Sequence, residues 1–169
     1  PIAENTTPTP HHTTPNHTKP HNTQPQRKHQ PNHGENLLEF ATDSQTISAE
    51  GLAYLPRFKK LRMLDLSRSG VTDDMLRELA AMPALEELNI SDTKLDGSFL
   101  AYLPAKSKLK RINFTGVKTV KPENLVHLGK LKQLAFLNRP SIDPGREALE
   151  VIAGMDPLLE LSLINNYAF

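Results

Sequence analysis

The sequence contains no cysteine among its 169 residues, which excludes disulfide bonds, thiolate metal sites and cysteine nucleophiles. It has no apolar run approaching the roughly 20 residues of a membrane-spanning helix, so we expect no transmembrane segment in this chain. Neither charge predominates, because 20 Lys and Arg side chains stand against 19 Asp and Glu. A balanced chain without a glycine-rich phosphate loop lacks the basic surface that nucleic-acid binding requires, so we expect no nucleic-acid partner.

Apolar side chains are scarce at the start of the chain, where residues 1–36 consist mainly of Pro, Thr, His, Asn and Gln. A segment with so little to bury cannot offset the entropy that is lost on ordering. We therefore predict a disordered tail or linker that serves as a spacer. Such a tail best fits an extracytoplasmic or membrane-tethered protein of a bacterium.

Six of the seven histidines lie in this tail, which raises metal binding as an alternative role. His17 and His21 have the four-residue spacing of a helical metal site, but Pro20 lies between them and disrupts a helix. We prefer the interpretation of a solvated linker that holds no cofactor. Weak metal binding is the alternative, with the candidate ligands His11, His12, His17 and His21.

After the tail, the apolar residues recur with a period of about 24 residues. In the unit that begins LRMLDL, Leu64 and Leu66 alternate as in a strand. A turn follows, in which the Ser69 side chain can bond open backbone groups. Leu76 and Leu79 then share one face of a helix. The pattern predicts six strand–turn–helix units, which start near residues 37, 61, 85, 109, 134 and 158.

These units resemble the leucine-rich repeat, L-x-x-L-x-L-x-x-N/T-x-L followed by a helical half. The stretches SRSGVTDDML and SDTKLDGSFL look like its short α/β subtype, which is common in bacterial, especially planctomycete-type, proteins. The resemblance implies an α/β fold over residues 37–169. It would be a right-handed solenoid with a parallel sheet on the concave face and short helices on the convex face.

Several positions depart from the repeat. Val117 and Ile142 stand where other units carry a polar turn residue. Thr42 and Arg139 stand where a third buried leucine belongs, and Arg139 is followed by Pro140. We expect this Arg–Pro pair to loosen the fifth unit locally, with the head of the arginine in water.

The strand residues that alternate with the buried leucines should form the exposed face of the sheet, in columns about 5 Å apart. Solenoids bind their partners through this face. Arg111 and Phe136 are of the types that dominate interface hot spots. The alternative is a solvated face whose Asn side chains bond each other. The candidate protein-binding residues are Met63, Asp65, Glu87, Asn89, Arg111, Asn113, Phe136 and Asn138.

Catalysis has little support in the sequence. His127 is the only histidine outside the tail, and the pattern places it on an outer helix, across the core from the sheet face. Asp73 and Asp74 resemble a paired-carboxylate site, but at the start of a helix we expect them to cap it and to complement its dipole. We therefore predict that the protein is not an enzyme.

The last unit, LLELSLINNYAF, stops after its strand and has no closing helix. Solenoids need terminal units with a polar outer face, so we expect this edge to be open. A chain that is cut short, a lid formed by the last aromatic residues, and a partner that covers the edge all stay possible explanations. A partner would make a homo-oligomer or a larger complex. The edge residues are Leu161, Leu163, Tyr167 and Phe169.

The leading hypothesis is a non-catalytic module that binds another protein through the concave face, the open C-terminal edge or both. The alternative is a structural or accessory subunit of a larger enzyme complex. The third hypothesis is metal binding by the His-rich tail.

Overall fold

The structure, a computed structural model, describes residues 36–42, 47–138, 143–156 and 158–162. The chain divides into two units, and all of these residues lie in the second, Asn32–Phe169. They include six strands of three residues, which form one parallel sheet in chain order. The strands are β1 (Glu39–Ala41), β2 (Met63–Asp65), β3 (Glu87–Asn89), β4 (Arg111–Asn113), β5 (Phe136–Asn138) and β6 (Glu160–Ser162).

The register of the sheet is the one that the repeat predicts. Each residue pairs with the residue 24 positions further along the chain, as Glu39 does with Met63, and 25 positions further between β4 and β5. Sequential parallel strands with this constant offset confirm a stack of coils, each of which contributes one strand. The middle residues of the strands face the core, and they are Phe40, Leu64, Leu88, Ile112, Leu137 and Leu161.

The second half of each of the first five coils is helical, as predicted, but much of it is 3₁₀ rather than α. In the segment Met75–Ala81 the core side chains Leu76 and Leu79 are three residues apart, and side chains at this spacing eclipse in a 3₁₀ helix. Both leucines therefore point into the core, because their spacing matches the three residues per turn of a 3₁₀ helix. The α-helices are α1 (Ala49–Tyr54), α2 (Pro122–Leu125) and α3 (Gly145–Ala153); the other 3₁₀ segments are Leu55–Arg57, Ser98–Tyr102 and Val126–Lys130.

One apolar cluster runs through the stack between the sheet and the helical segments. Leu64 and Leu88 of the strands and Leu76 of the helical side are all at most 1% exposed. The rings of Phe99 and Phe114, from successive coils, stack with centroids 6.2 Å apart. A single coil could not cover its own apolar stripe, so the stability of each coil depends on its neighbours. None of the helices within the described ranges is long and apolar enough to span a membrane.

Polar side chains close the turns after β2 and β3. The Ser69 hydroxyl donates to the carbonyl of Leu66 at 2.5 Å, and Thr93 donates to Ile90 at 2.7 Å. Both side chains are buried, which confirms their predicted role inside the turn. Val117 takes this position in the next coil and is fully buried, and its backbone N–H donates to the equivalent carbonyl, that of Phe114, at 3.0 Å. Ile142, Arg139 and Pro140 lie outside the described residues.

Asp73 fastens its coil to the next one, which differs from the predicted helix cap. Its carboxylate oxygens accept the backbone N–H groups of Asp96 at 2.8 Å and Phe99 at 3.2 Å. Asp74 instead forms an exposed ion pair with Arg77 at 2.8 Å. The cap prediction was wrong for Asp73, because the start of its own segment is capped by Thr72, whose Oγ1 accepts the backbone N–H of Met75 at 3.4 Å.

Candidate functional site

The predicted binding residues come together on the exposed face of the sheet. Seven of the eight line one depression of about 240 Å³ above the middle of β3, whose remaining wall is Leu88. Phe136, the eighth, pairs in register with Arg111 beside this depression. The set lies together because the strand residues on either side of each buried position face the same way. The seven are Met63, Asp65, Glu87, Asn89, Arg111, Asn113 and Asn138.

Arg111 and Phe136 form a stacked pair on the sheet face. The guanidinium carbon of Arg111 lies 4.4 Å from the centroid of the Phe136 ring, and half of the arginine side chain is exposed. Its Nε atom lies 3.7 Å from a carboxylate oxygen of Glu87, which is too long for a strong charge-assisted hydrogen bond. A cation–π contact of this kind contributes about 0.5–1 kcal/mol at an exposed site. It also orients the guanidinium on the sheet face.

Three polar residues of the face have a structural task that the sequence analysis did not predict. Each ends its strand and accepts, through a side-chain oxygen, the backbone N–H group two residues later. Such a bond holds the chain in the turn that leaves the sheet. The three pairs are Asp65 with Ser67 at 2.9 Å, Asn89 with Ser91 at 3.1 Å, and Asn113 with Thr115 at 3.0 Å.

Asn89 also donates to the second carboxylate oxygen of Asp65 at 2.9 Å. Burial would raise the pKa of Asp65, but the hydrogen bonds from Ser67 and Asn89 outweigh it and lower that pKa below its ordinary value. The carboxylate is therefore ionised at neutral pH, with both oxygens already engaged. This agrees with the alternative in which polar side chains of the face bond each other, at least for these two residues.

Asn138 is the exception in this column. The residue two positions later is Pro140, which has no backbone N–H group to donate. The side-chain amide of Asn138 forms no hydrogen bond within the part of the chain that the structure describes, although its backbone carbonyl accepts from Phe114 at 2.8 Å. Its amide is therefore not committed to the turn in the way that those of Asn89 and Asn113 are.

A row of alternating charges borders the face one residue before the strands. Glu86 lies between Arg62 and Lys110, with 2.9 Å to each. Hydrogen bonds from Arg62 and Lys110 lower the pKa of Glu86 to about 2. The sequence analysis missed this row, although opposite charges at positions 24 residues apart were the signal. A second depression of about 200 Å³ lies beside it, lined by Leu38, Glu39, Arg62, Met63, Glu86 and Glu87.

The helical side carries a second arginine–aromatic pair that the sequence analysis also missed. Arg77 lies over the ring of Tyr102 at 4.3 Å and donates to its hydroxyl at 2.7 Å. His127 lies on the helical segment Val126–Lys130, half-buried. Within the described residues, no group of three or more His, Asp or Glu side chains is placed to hold a metal ion.

Most of the other predicted sites lie where the structure gives no description. At the C-terminal edge, Leu161 is half-buried in β6 and Leu159 is 79% exposed. Leu163, Tyr167 and Phe169, as well as the four tail histidines, lie outside the described residues. Metal binding by the tail and the closure of this edge therefore stay predictions.

Comparison with known proteins supports the architecture. No family model matches the chain, and no curated protein matches it. Among solved structures, the tropomodulin C-terminal domain of Caenorhabditis elegans is similar, with a TM-score of 0.55 over 70% of this chain and 81% of that chain. The fold is leucine-rich-repeat-like. At 16% sequence identity the similarity concerns the fold alone, and together with the all-parallel sheet it fits a leucine-rich-repeat solenoid.

Proposed function

We propose that this chain is a non-catalytic module that binds another protein through the exposed face of its sheet. The observation that carries the proposal is the stacked pair of Arg111 and Phe136 beside the 240 Å³ depression. Arginine and aromatic side chains supply most of the binding energy in protein interfaces. Here Arg111 is half-exposed and Phe136 is partly exposed, and the two contact each other next to a cavity that could take a side chain of the partner.

The division of tasks on the face favours binding over catalysis. Asp65 and Asn89 hold turns and bond each other, so their polar atoms are not arranged as an acid–base pair around a substrate. Met63 adds an apolar surface that is 37% exposed at one end of the depression. A mixed surface of apolar, aromatic and charged side chains on a rigid sheet is what a protein partner requires.

The narrower assignments rest on the sequence. We assign the chain to the short α/β subtype of leucine-rich repeats, with the right-handed coiling that parallel crossovers prefer. Residues 1–36 serve as a spacer for an extracytoplasmic or membrane-tethered bacterial protein. These assignments are supported by the sequence pattern of the repeats and by the composition of the tail.

A second candidate function is that of an accessory subunit held through the C-terminal edge. The exposed Leu159, which directly precedes the last strand, favours it. Light scattering after size exclusion would reveal a defined oligomer or a complex, and Leu159→Glu should reduce it to the monomer. A clean monomer at high concentration would count against association of the chain with itself.

The sheet-face proposal is tested by a double substitution, Arg111→Glu with Phe136→Ala. Arg111 is half-exposed and Phe136 only partly buried on the sheet face, so the melting temperature should change little. Co-purification of the partner from a lysate of the source organism should be lost. Partners would be identified by mass spectrometry.

The matched control is Arg77→Glu with Tyr102→Ala, which removes a stacked pair of similar chemistry from the helical side. We expect this control to retain the partner. Equal recovery of the partner with the sheet-face variant and the control would refute binding through this face.

A further inference from the structure

The terminal nitrogens of the Arg111 guanidinium are available as hydrogen-bond donors. Stacking on Phe136 at 4.4 Å fixes its plane, and its Nε atom points towards Glu87 at 3.7 Å. Its terminal nitrogens donate to no acceptor within the described residues. An arginine held in this way presents a planar fork that matches the two oxygens of a carboxylate.

Two amide groups lie next to this fork. Asn113 is two residues beyond Arg111 on β4, roughly 7 Å along the strand and on the same face of the sheet. Asn138 pairs with Asn113 in register on β5, about 5 Å away. Arg111, Asn113 and Asn138 all line the 240 Å³ depression.

Both amides can donate towards a ligand. The Asn113 side-chain oxygen is engaged by the backbone N–H of Thr115, and its Nδ2 donates to no residue that the structure describes. Asn138 lacks the turn bond of its counterparts because Pro140 has no N–H group, and its side-chain amide bonds to no residue within the described ranges. Three side chains with hydrogen-bond donors therefore line the part of the depression that lies over β4 and β5.

Neither of the two carboxylates that border the same depression occupies this donor group. Both oxygens of Asp65, on β2, are engaged by Ser67 and Asn89. Glu87 is 41% exposed, and its distance of 3.7 Å from Arg111 leaves the guanidinium short of a close ion pair. A bidentate partner would bind the fork more strongly than this exposed pair does.

Resting on the proposed function, we propose that Arg111, Asn113 and Asn138 form a subsite for an acidic side chain, Asp or Glu, on a segment of the protein partner. The carboxylate would accept from the terminal nitrogens of Arg111 and from the Asn113 and Asn138 amides. Phe136 would support the guanidinium from beneath as a positioning residue.

The test uses a phage library of random 12-residue peptides, selected on the full chain. Peptides that bind the sheet face are recognised by their loss of binding to Arg111→Glu with Phe136→Ala. We expect such peptides to share an Asp or Glu at one position. Changing it to Asn or Gln should weaken binding roughly 10- to 100-fold, which corresponds to a hydrogen-bonded charge.

The variants separate this subsite from general attraction. Arg111→Gln should weaken the selected peptides to the same degree. Arg146→Gln, which removes the same charge from the exposed helix α3, should not. Arg111→Glu should regain binding to a peptide whose acid is replaced by Lys, which loss of structure alone could not produce.

Three outcomes are decisive. A shared acid with loss of binding in Arg111→Gln supports the subsite. Face-binding peptides without a shared acid, or peptides unaffected by Arg111→Gln, overturn the subsite and leave the proposed function standing. Recovery of no peptide that depends on the face overturns both.

Discussion

The change in the free energy of unfolding on replacing Asp73 by alanine measures how much its hydrogen bonds to the next coil stabilise the protein. Its carboxylate accepts the backbone N–H groups of Asp96 and Phe99 at 2.8 and 3.2 Å, across the boundary between two coils. A hydrogen bond to a charged group contributes about 1.5–3 kcal/mol. Asp73 is half-buried and water reaches part of the site, so the lower value applies to each bond. We expect the free energy of unfolding to fall by about 3 kcal/mol.

The neighbouring residue is a built-in control. Asp74 is 82% exposed in its side chain and pairs only with Arg77, three residues further along the same segment. Exposed pairs at this spacing contribute at most about 0.5 kcal/mol. Asp74→Ala removes the same charge one position away, so the difference between the two variants isolates the bonds to the next coil from the loss of a carboxylate.

Urea unfolding followed by far-ultraviolet circular dichroism gives the two free energies. The comparison requires that the dependence on urea concentration is the same in both variants, because a smaller slope would mean that the coils no longer unfold together. Asp73→Asn should lie between, since its amide keeps one acceptor oxygen but turns a donor towards the other N–H group. If Asp73→Ala is no more destabilising than Asp74→Ala, the contact does not hold the coils together.

Two further predictions concern a turn and acid sensitivity. Gly116 has φ of +75°, and a Cβ atom there would lie 1.9 Å from Oδ1 of Asp92. Gly116→Ala should therefore lower stability by about 1–3 kcal/mol in thermal unfolding, and Asp92→Gly should recover part of this; a neutral Gly116→Ala would contradict the close approach. The pKa values of Glu86 and Asp96, lowered to about 2, imply stability that is complete above their ordinary values of 4.5 and 3.8 and lost as pH falls towards 2. The midpoint of urea unfolding should fall as the pH is lowered over this range, and it should fall less in the double variant Glu86→Gln with Asp96→Asn. Parallel plots of midpoint against pH for the wild type and the double variant would refute this prediction.

The sheet and its register could be predicted because one spacing determines them. Once Leu64 and Leu88 are recognised as equivalent, every neighbouring pair in the strands follows, including the inserted residue between β4 and β5. The periodicity of the apolar residues reflects burial, and burial in a stack of coils leaves little freedom in how strands align.

The contacts between coils could not be predicted in the same way. Asp73 reaches residues 23 and 26 positions away, and its choice depends on where the next turn leaves its N–H groups open. The 3₁₀ conformation of Met75–Ala81 could not be predicted either. Over so few residues, an α-helix and a 3₁₀ helix place the same apolar positions on one face. The local sequence pattern predicts which side chains are buried, but it does not predict the type of helix or the hydrogen bonds between coils.

For the candidate site, the sequence predicted which side chains share the face but not which are already engaged. Asp65, Asn89 and Asn113 repeat every 24 residues because each holds a turn, so their recurrence is a requirement of the fold. Asn138 occupies the same column, yet Pro140 removes its turn bond.

A repeat protein binds most specifically where it stops repeating, because side chains that maintain every coil cannot also distinguish partners. Arg111 and Phe136 replace the Met63 and Glu87 of earlier coils in one column, and Asn138 changes its role in the next. These three departures fall on the adjacent strands β4 and β5, at the edge of one depression. Under the proposed function, this clustering separates one part of the face from the rest of the sheet, and we expect the specificity for the partner to lie in the fourth and fifth coils.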